Sequence, residues 1–193
     1  LNHFNKPAVE DYLNRMSDTI EKRIGPLKQH IRALFTDSME LEGANWTADF
    51  EDEFRKRRGY DILPYLPFLL FKCGSMGNVV TYVPKVEFGK ELGETINRAR
   101  YDFEYTKAEL LLERFTQTYL DWCKKLGVKS RAQAYGRGLF PLENSLGYDI
   151  PECESWTTNW LRHKIGEEKS EEDYRRGRAY TMVNKYVSSA AHL

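Results

Sequence analysis

The stretch Ile31-Arg32-Ala33-Leu34-Phe35-Thr36-Asp37-Ser38-Met39-Glu40 decides how this chain folds. Its first six residues are mostly apolar and compatible with extended structure. The run is too short for a helix of ordinary length, so it reads as a buried strand. A polar cluster, Asp37 to Glu40, follows at the strand's C-terminal end. The same order recurs twice. Val128 to Tyr135 sets Ala132 and Ala134 in alternation with Arg131, Gln133 and Tyr135. Tyr148-Asp149-Ile150-Pro151 is a short extended piece that runs into Glu152-Cys153-Glu154.

Helical signals fill the spaces between these strands. Val9, Tyr12, Leu13, Met16, Ile20 and Ile24 recur at helical spacing after Pro7, which suits a first turn, and Gly25-Pro26 stops the run. Asn45-Trp46-Thr47 opens a charged helix that carries Phe50 and Phe54 and closes on Arg55-Lys56-Arg57-Arg58-Gly59. Pro64 and Pro67 limit the stretch from Tyr60 to Phe71 to short or irregular turns. Residues 73–93 hold Gly74, Gly77, Gly89 and Gly93 around an extended run, which predicts an insertion or mobile excursion. The longest helix is expected from Glu94 to Leu126. Ile96, Ala99, Phe103, Leu110, Phe115, Tyr119 and Trp122 form its apolar stripe, and Gly127 stops it. Leu139 to Leu146 reads as a helical turn. Ser170 and Asp173 resemble a capping box for a last helix.

Alternation of this kind predicts an α/β protein with a parallel sheet. A closed (β/α)8 barrel takes about 250 residues, whereas this chain has 193 and carries the three candidate strands just described. The polar clusters lie at strand ends, where such a barrel carries its catalytic face. Residues 1–193 are therefore expected to be a helix-rich section of one catalytic TIM barrel, which begins without Met and stops at His192-Leu193 before a further strand.

Composition narrows the function. The 29 Lys+Arg balance the 29 Asp+Glu, which argues against a dedicated nucleic-acid binder or a polybasic membrane anchor. No apolar run approaches the roughly 20 residues a membrane span needs. Cys73, Cys123 and Cys153 lack CxxC spacing, and His3, His30, His163 and His192 form no ligand-spaced set, so zinc and redox motifs are not indicated. Cysteine usage leaves the compartment open. Glu51, Asp52, Glu53 and Asp61 flank the Arg55–Arg58 run, which predicts a solvated helix end that complements the helix dipole.

Three groups of residues could do chemistry. Asp37 and Glu40, just past a strand, suit proton transfer or a hard cation, although helix capping by Asp37 or Ser38 fits the pattern slightly better. Glu152 and Glu154 alternate, so in extended backbone they point to one side. With Asp149 they suit acid/base work, cation coordination or a solvated loop. Trp156 and Trp160 follow closely, and carboxylates beside aromatic rings are what a sugar cleft requires, although packing is the commoner use of tryptophan. Arg131, Gln133 and Tyr135 share a strand face. They could hydrogen-bond a polar substrate, or neutralise a carboxylate such as Glu152.

Read in order, Asp37-Ser38-Met39-Glu40, Asn45-Trp46-Thr47, Phe54 to Pro67, Tyr101-Asp102-Phe103, Arg131 to Gly136, Asp149 to Glu154 and Ser188 to His192 resemble the α-L-rhamnosidase-related glycoside hydrolases of family 106. The resemblance implies a (β/α)8 catalytic domain inside a larger, multidomain enzyme, in the bacterial periplasm or secreted. The implied reaction is hydrolysis of an α-L-rhamnosyl or related linkage with inversion, in which one carboxyl protonates the leaving oxygen and another activates water. The implied partner is a rhamnose-containing glycan or glycoside, with a calcium ion near the sugar. On this resemblance Glu40 is the general acid, and Asp37 supports it or binds substrate. Glu152 and Glu154 serve calcium or substrate, while Trp46, Trp156, Arg131, Gln133 and Tyr135 contact the sugar. The base would come from a further strand, so the chain alone is expected to be inactive. As an open set of parallel strands it is also expected to self-associate. The alternatives are a non-catalytic carbohydrate-binding or degenerate barrel, and a helical interaction module built on Glu94 to Leu126.

Overall fold

A computed structural model describes residues 1–38, 45–69, 88–134, 141–153, 170–171 and 184–193. The chain divides into two compact units, Leu1–Ile24 with Glu40–Trp122, and Gly25–Met39 with Cys123–Leu193.

The first unit is helical. In α1 (Lys6–Ile24) the buried positions are Val9, Leu13 and Ser17. This stripe is narrower than the periodicity predicts, because Tyr12 and Ile24 stay exposed. Ser17 tolerates burial because its hydroxyl is satisfied: Oγ donates to the Asn14 carbonyl at 3.0 Å and accepts from Trp122 Nε1 at 3.4 Å. α2 (Phe50–Arg58) packs against α4 (Lys90–Leu111). Phe50 and Phe54, one helical turn apart, are fully buried. Phe50 meets Phe103 edge-on at 5.3 Å, and Phe54 meets Tyr60 at 5.0 Å. Gly59 ends α2 at φ +79°, with its N–H on the Arg55 carbonyl, a conformation that side chains resist. The two prolines produce a 3-10 turn, Leu63–Tyr65, and the short α3 (Leu66–Leu69), which packs on α4.

The arginine run departs from expectation. Arg55 and Lys56 face solvent, but Arg57 and Arg58 turn inward and are 18% and 13% exposed at the side chain. Arg57 donates to Glu53 and forms a two-pronged pair with Glu113 at 2.7 and 2.8 Å. Arg58 bonds Thr106 Oγ1 and Glu109 and lies 4.4 Å over the Tyr105 ring. Besides Glu53, one helical turn back, the carboxylates that compensate them are Glu113 and Glu109, about fifty residues away in sequence.

The long helix begins at Lys90, so residues 90–93 of the expected excursion are its first turn; residues 73–87 lie outside the described residues. It is also not one regular α-helix. A π turn at Leu112–Thr116 joins α4 to α5 (Gln117–Leu126). The buried stripe runs through Ile96, Ala99, Phe103, Thr106 and Leu110, then resumes at Phe115, Tyr119 and Trp122. The step from Leu110 to Phe115 is one residue too long for an α-helix, and the π turn absorbs it.

The second unit holds the sheet. β1 (Ala33–Thr36), β2 (Lys129–Ala132) and β3 (Ile150–Pro151) lie in that order, all parallel. β1 is shorter than the sequence run and is not a buried strand: Phe35 is 43% exposed. Among the described residues it has a sheet neighbour on one side only, so one of its edges and part of its face lack cover. Gly127 precedes β2 at φ +71°, and a side chain there would meet Lys28 Cδ at 3.3 Å. Asp149 ties β3 to β2. Its Oδ2 accepts from Ser130 N at 2.8 Å and Ser130 Oγ at 2.9 Å, and its own N–H donates to Ser130 Oγ. α6 (Pro141–Ser145) falls within the expected turn, and residues 184–190 are helical. Asp173 of the expected capping box lies outside the described residues.

Candidate functional site

Register brings the candidate residues of the sheet together. Thr36 pairs with Ala132, and Ala132 with Pro151. The next residues, Asp37, Gln133 and Glu152, therefore form one rank across the C-terminal ends of the three strands. Two bonds carry the ladder into that rank: Gln133 N–H to the Thr36 carbonyl at 3.0 Å, and Glu152 N–H to the Ala132 carbonyl at 2.8 Å. The preceding rank is Phe35, Arg131 and Ile150. By strand alternation both ranks face one side of the sheet, while Ser130 and Ala132 are buried on the other.

The side chains follow from this placement. Asp37 is exposed, and its Oδ1 accepts the Ser38 N–H at 2.8 Å. Gln133 is buried. Arg131 reaches diagonally to Glu152, with Nε donating to Oε1, and its guanidinium carbon sits 4.6 Å over the Phe35 ring. The carboxylate beside it holds the Arg131 pKa above the ordinary guanidinium value. Asp149 has the opposite shift: the Ser130 amide and hydroxyl lower its carboxyl below the usual range. That carboxyl is a staple between strands, which removes it from the trio of acids noted in the sequence.

Of the sequence candidates, Asp37, Arg131, Gln133 and Glu152 meet in one sheet. Trp46 lies in the helical unit, where its ring stands 4.7 Å from Phe50. Glu40, Tyr135, Glu154 and Trp156 lie outside the described residues. Two features escaped the sequence reading. Phe35 seats the guanidinium, which its place two residues before Asp37 could have suggested. Cys153 Sγ lies 2.6 Å from Asn184 Oδ1, linking the end of β3 to helix 184–190; nothing local in sequence announces it.

A calcium ion takes six to eight oxygen ligands. At the strand ends Glu152 already faces the Arg131 cation, so a second cation on it would meet like charge. No three His, Cys, Asp or Glu among the described residues are grouped to hold a metal ion. Of the two expected calcium ligands the described residues place only Glu152, whose Arg131 partner opposes a second cation. Among the described residues, too, no helix is long and apolar enough to cross a membrane.

Acidic, amide and guanidinium groups thus gather at the carboxyl ends of the parallel strands, the edge at which open α/β sheets take their ligands. Comparison with known proteins makes this specific. The chain belongs to the glycoside hydrolase 106, alpha-L-rhamnosidase, family, whose model matches residues 1–193. The chain is 28% identical to the rhamnosidase of Novosphingobium sp. PP1Y, whose structure superposes with a TM-score of 0.55 over 74% of this chain and 13% of that one. It is 26% identical over 186 residues to a Formosa agariphila protein provisionally named beta-glucuronidase, covering 96% of this chain and 12% of that protein. The chain thus spans about an eighth of the length of these relatives.

Proposed function

We propose that these residues form part of the (β/α)8 catalytic barrel of a glycoside hydrolase that cleaves terminal α-L-rhamnosyl or related linkages with inversion. The observation that carries the reading is the rank Asp37, Gln133 and Glu152 at the C-terminal ends of three parallel strands, in a chain of the rhamnosidase family. Glu40, three residues after Asp37, is the proposed general acid, with Asp37 supporting it or binding substrate. Arg131, Gln133 and Tyr135, with Trp46 and Trp156, are the proposed sugar contacts. Inversion needs a second carboxyl, far enough from the acid to admit a water. Since the chain is about an eighth of its relatives' length, we propose that it does not complete this pair alone.

The test is hydrolysis of aryl α-L-rhamnosides by this chain and by a parent enzyme containing it. The parent should turn over and release the β-anomer first, and Glu40→Gln should lower its rate by roughly 10²–10⁴. Turnover by the 193 residues alone, or release of the α-anomer, would sink the reading. An aryl β-D-glucuronide is the second substrate, suggested by the name of the Formosa protein. Arg131 is already neutralised by Glu152 and has no surplus charge for a uronate, so the rhamnoside should be preferred. With β1 half-covered, the isolated chain should self-associate in light scattering, and a clean monomer with one cooperative melt would contradict that.

A further inference from the structure

Arg131 is held at three points and open at two. Its Nε is taken by Glu152, its plane lies on Phe35, and its backbone is in the β2 ladder. A guanidinium has five N–H donors. The four on Nη1 and Nη2 have no acceptor among the described residues. The side chain is 42% exposed, at the end of a parallel sheet beside Gln133 and Asp37. A guanidinium fixed through Nε presents Nη1 and Nη2 along a planar edge, and their spacing matches two oxygens side by side. Because Glu152 cancels its charge, that edge suits neutral oxygens better than an anion.

We infer that Glu152 is a positioning residue, not a cation ligand, and that it aims the free edge of Arg131 at a vicinal pair of sugar hydroxyls. This rests on the sugar-site reading above and adds its recognition element. Phe35 contributes by fixing the plane of the guanidinium. Losing the Nε bond lets the side chain rotate about its long stem, so sugar affinity falls without loss of the donor groups themselves.

The experiment follows the Arg131 side-chain N–H resonances of the 193-residue chain by nitrogen-15 NMR, with calcium chloride, methyl α-L-rhamnoside and its 2,3-di-O-methyl derivative added separately. Calcium should leave the Nε–H signal unmoved. The rhamnoside should shift the Nη signals, and the dimethylated sugar should do so much less. Arg131→Lys should weaken rhamnoside binding about tenfold, the scale of a hydrogen bond to a charged group. Glu152→Gln should weaken it in the same direction, with Glu152→Asp partly restoring it. A calcium-induced loss of the Nε–H signal overturns the positioning role. Rhamnoside binding that survives Arg131→Lys unchanged overturns the donor role alone. No binding of any sugar by the wild-type chain overturns the sugar-site reading itself. Should a variant fail to fold, the wild-type spectra with calcium and the two sugars decide the matter.

Discussion

Arg57 in the helical unit and Arg131 in the strand unit are both paired with a glutamate, yet they are held in opposite ways. Arg57 uses all three nitrogens, on Glu53 and Glu113, and is 18% exposed. Arg114 is occupied at both terminal nitrogens: it grips both oxygens of Asp49 and the Phe4 carbonyl. Among the described residues Arg131 bonds through one nitrogen, and its outer edge meets no acceptor. A guanidinium saturated by its own chain is a structural element. One fixed at its base, with its tip unmatched among the described residues, is shaped for a further partner.

That contrast can be broken most severely in the helical unit. Phe54→Ala removes a fully buried ring between α2 and Tyr60, and should cost about 3–5 kcal/mol in denaturant unfolding. Arg57→Ala leaves Glu53 and Glu113 facing each other's charge; discounted for partial exposure, about 1–3 kcal/mol should be lost. A loss under half that would mean the network is slack.

Acid should weaken both units, for different reasons. Arg114 holds the Asp49 carboxyl, and Arg57 holds Glu113, below their ordinary 3.8 and 4.5; Ser130 holds Asp149 below 3.8. In each case the unfolded chain binds the proton more readily, so the stabilisation is present above the ordinary value. It fades as the pH falls through the lower folded value. Thermal melts at pH 6 and pH 3 should therefore separate, and Asp149→Asn should narrow the gap while leaving the helical contribution. An unchanged gap would show that the Ser130 staple contributes nothing. The smallest effect belongs to Arg131. Arg131→Lys should leave the unfolding midpoint essentially unmoved, as for an exposed pair, while still lowering sugar affinity.

Much of this arrangement was legible in the sequence. Phe50 and Phe54, the glycines that end helices at 25, 59 and 127, and the three strands ending in polar residues all act locally, so their spacing reveals them. The inward turn of Arg57 and Arg58 was not legible, because nearby Glu51 and Asp52 mask the distant partners Glu109 and Glu113. The π turn is marked in the sequence only by the five-residue step from Leu110 to Phe115. At the site, the chain order gave Asp37, Gln133 and Glu152 as strand ends, and register put them in one rank. The choice between Arg131 as substrate ligand and as partner of Glu152 needed coordinates, since it depends on a diagonal reach across two strands. Asp149 read as one of three acids because spacing cannot reveal that its carboxylate turns back to Ser130.

The π turn at Leu112–Thr116 also sets a reading frame for the rest of the helix. Each residue advances an α-helix by roughly 100°. Removing Leu112 would leave four residues from Leu110 to Phe115, an ordinary α-helical step, so the π turn would close to an α turn with Phe115, Tyr119 and Trp122 still on the buried stripe. One residue can thus be taken out of this turn with the stripe kept, whereas one taken out of the regular α4 turns would swing the residues after it by that angle, because what the π turn holds is a spare residue.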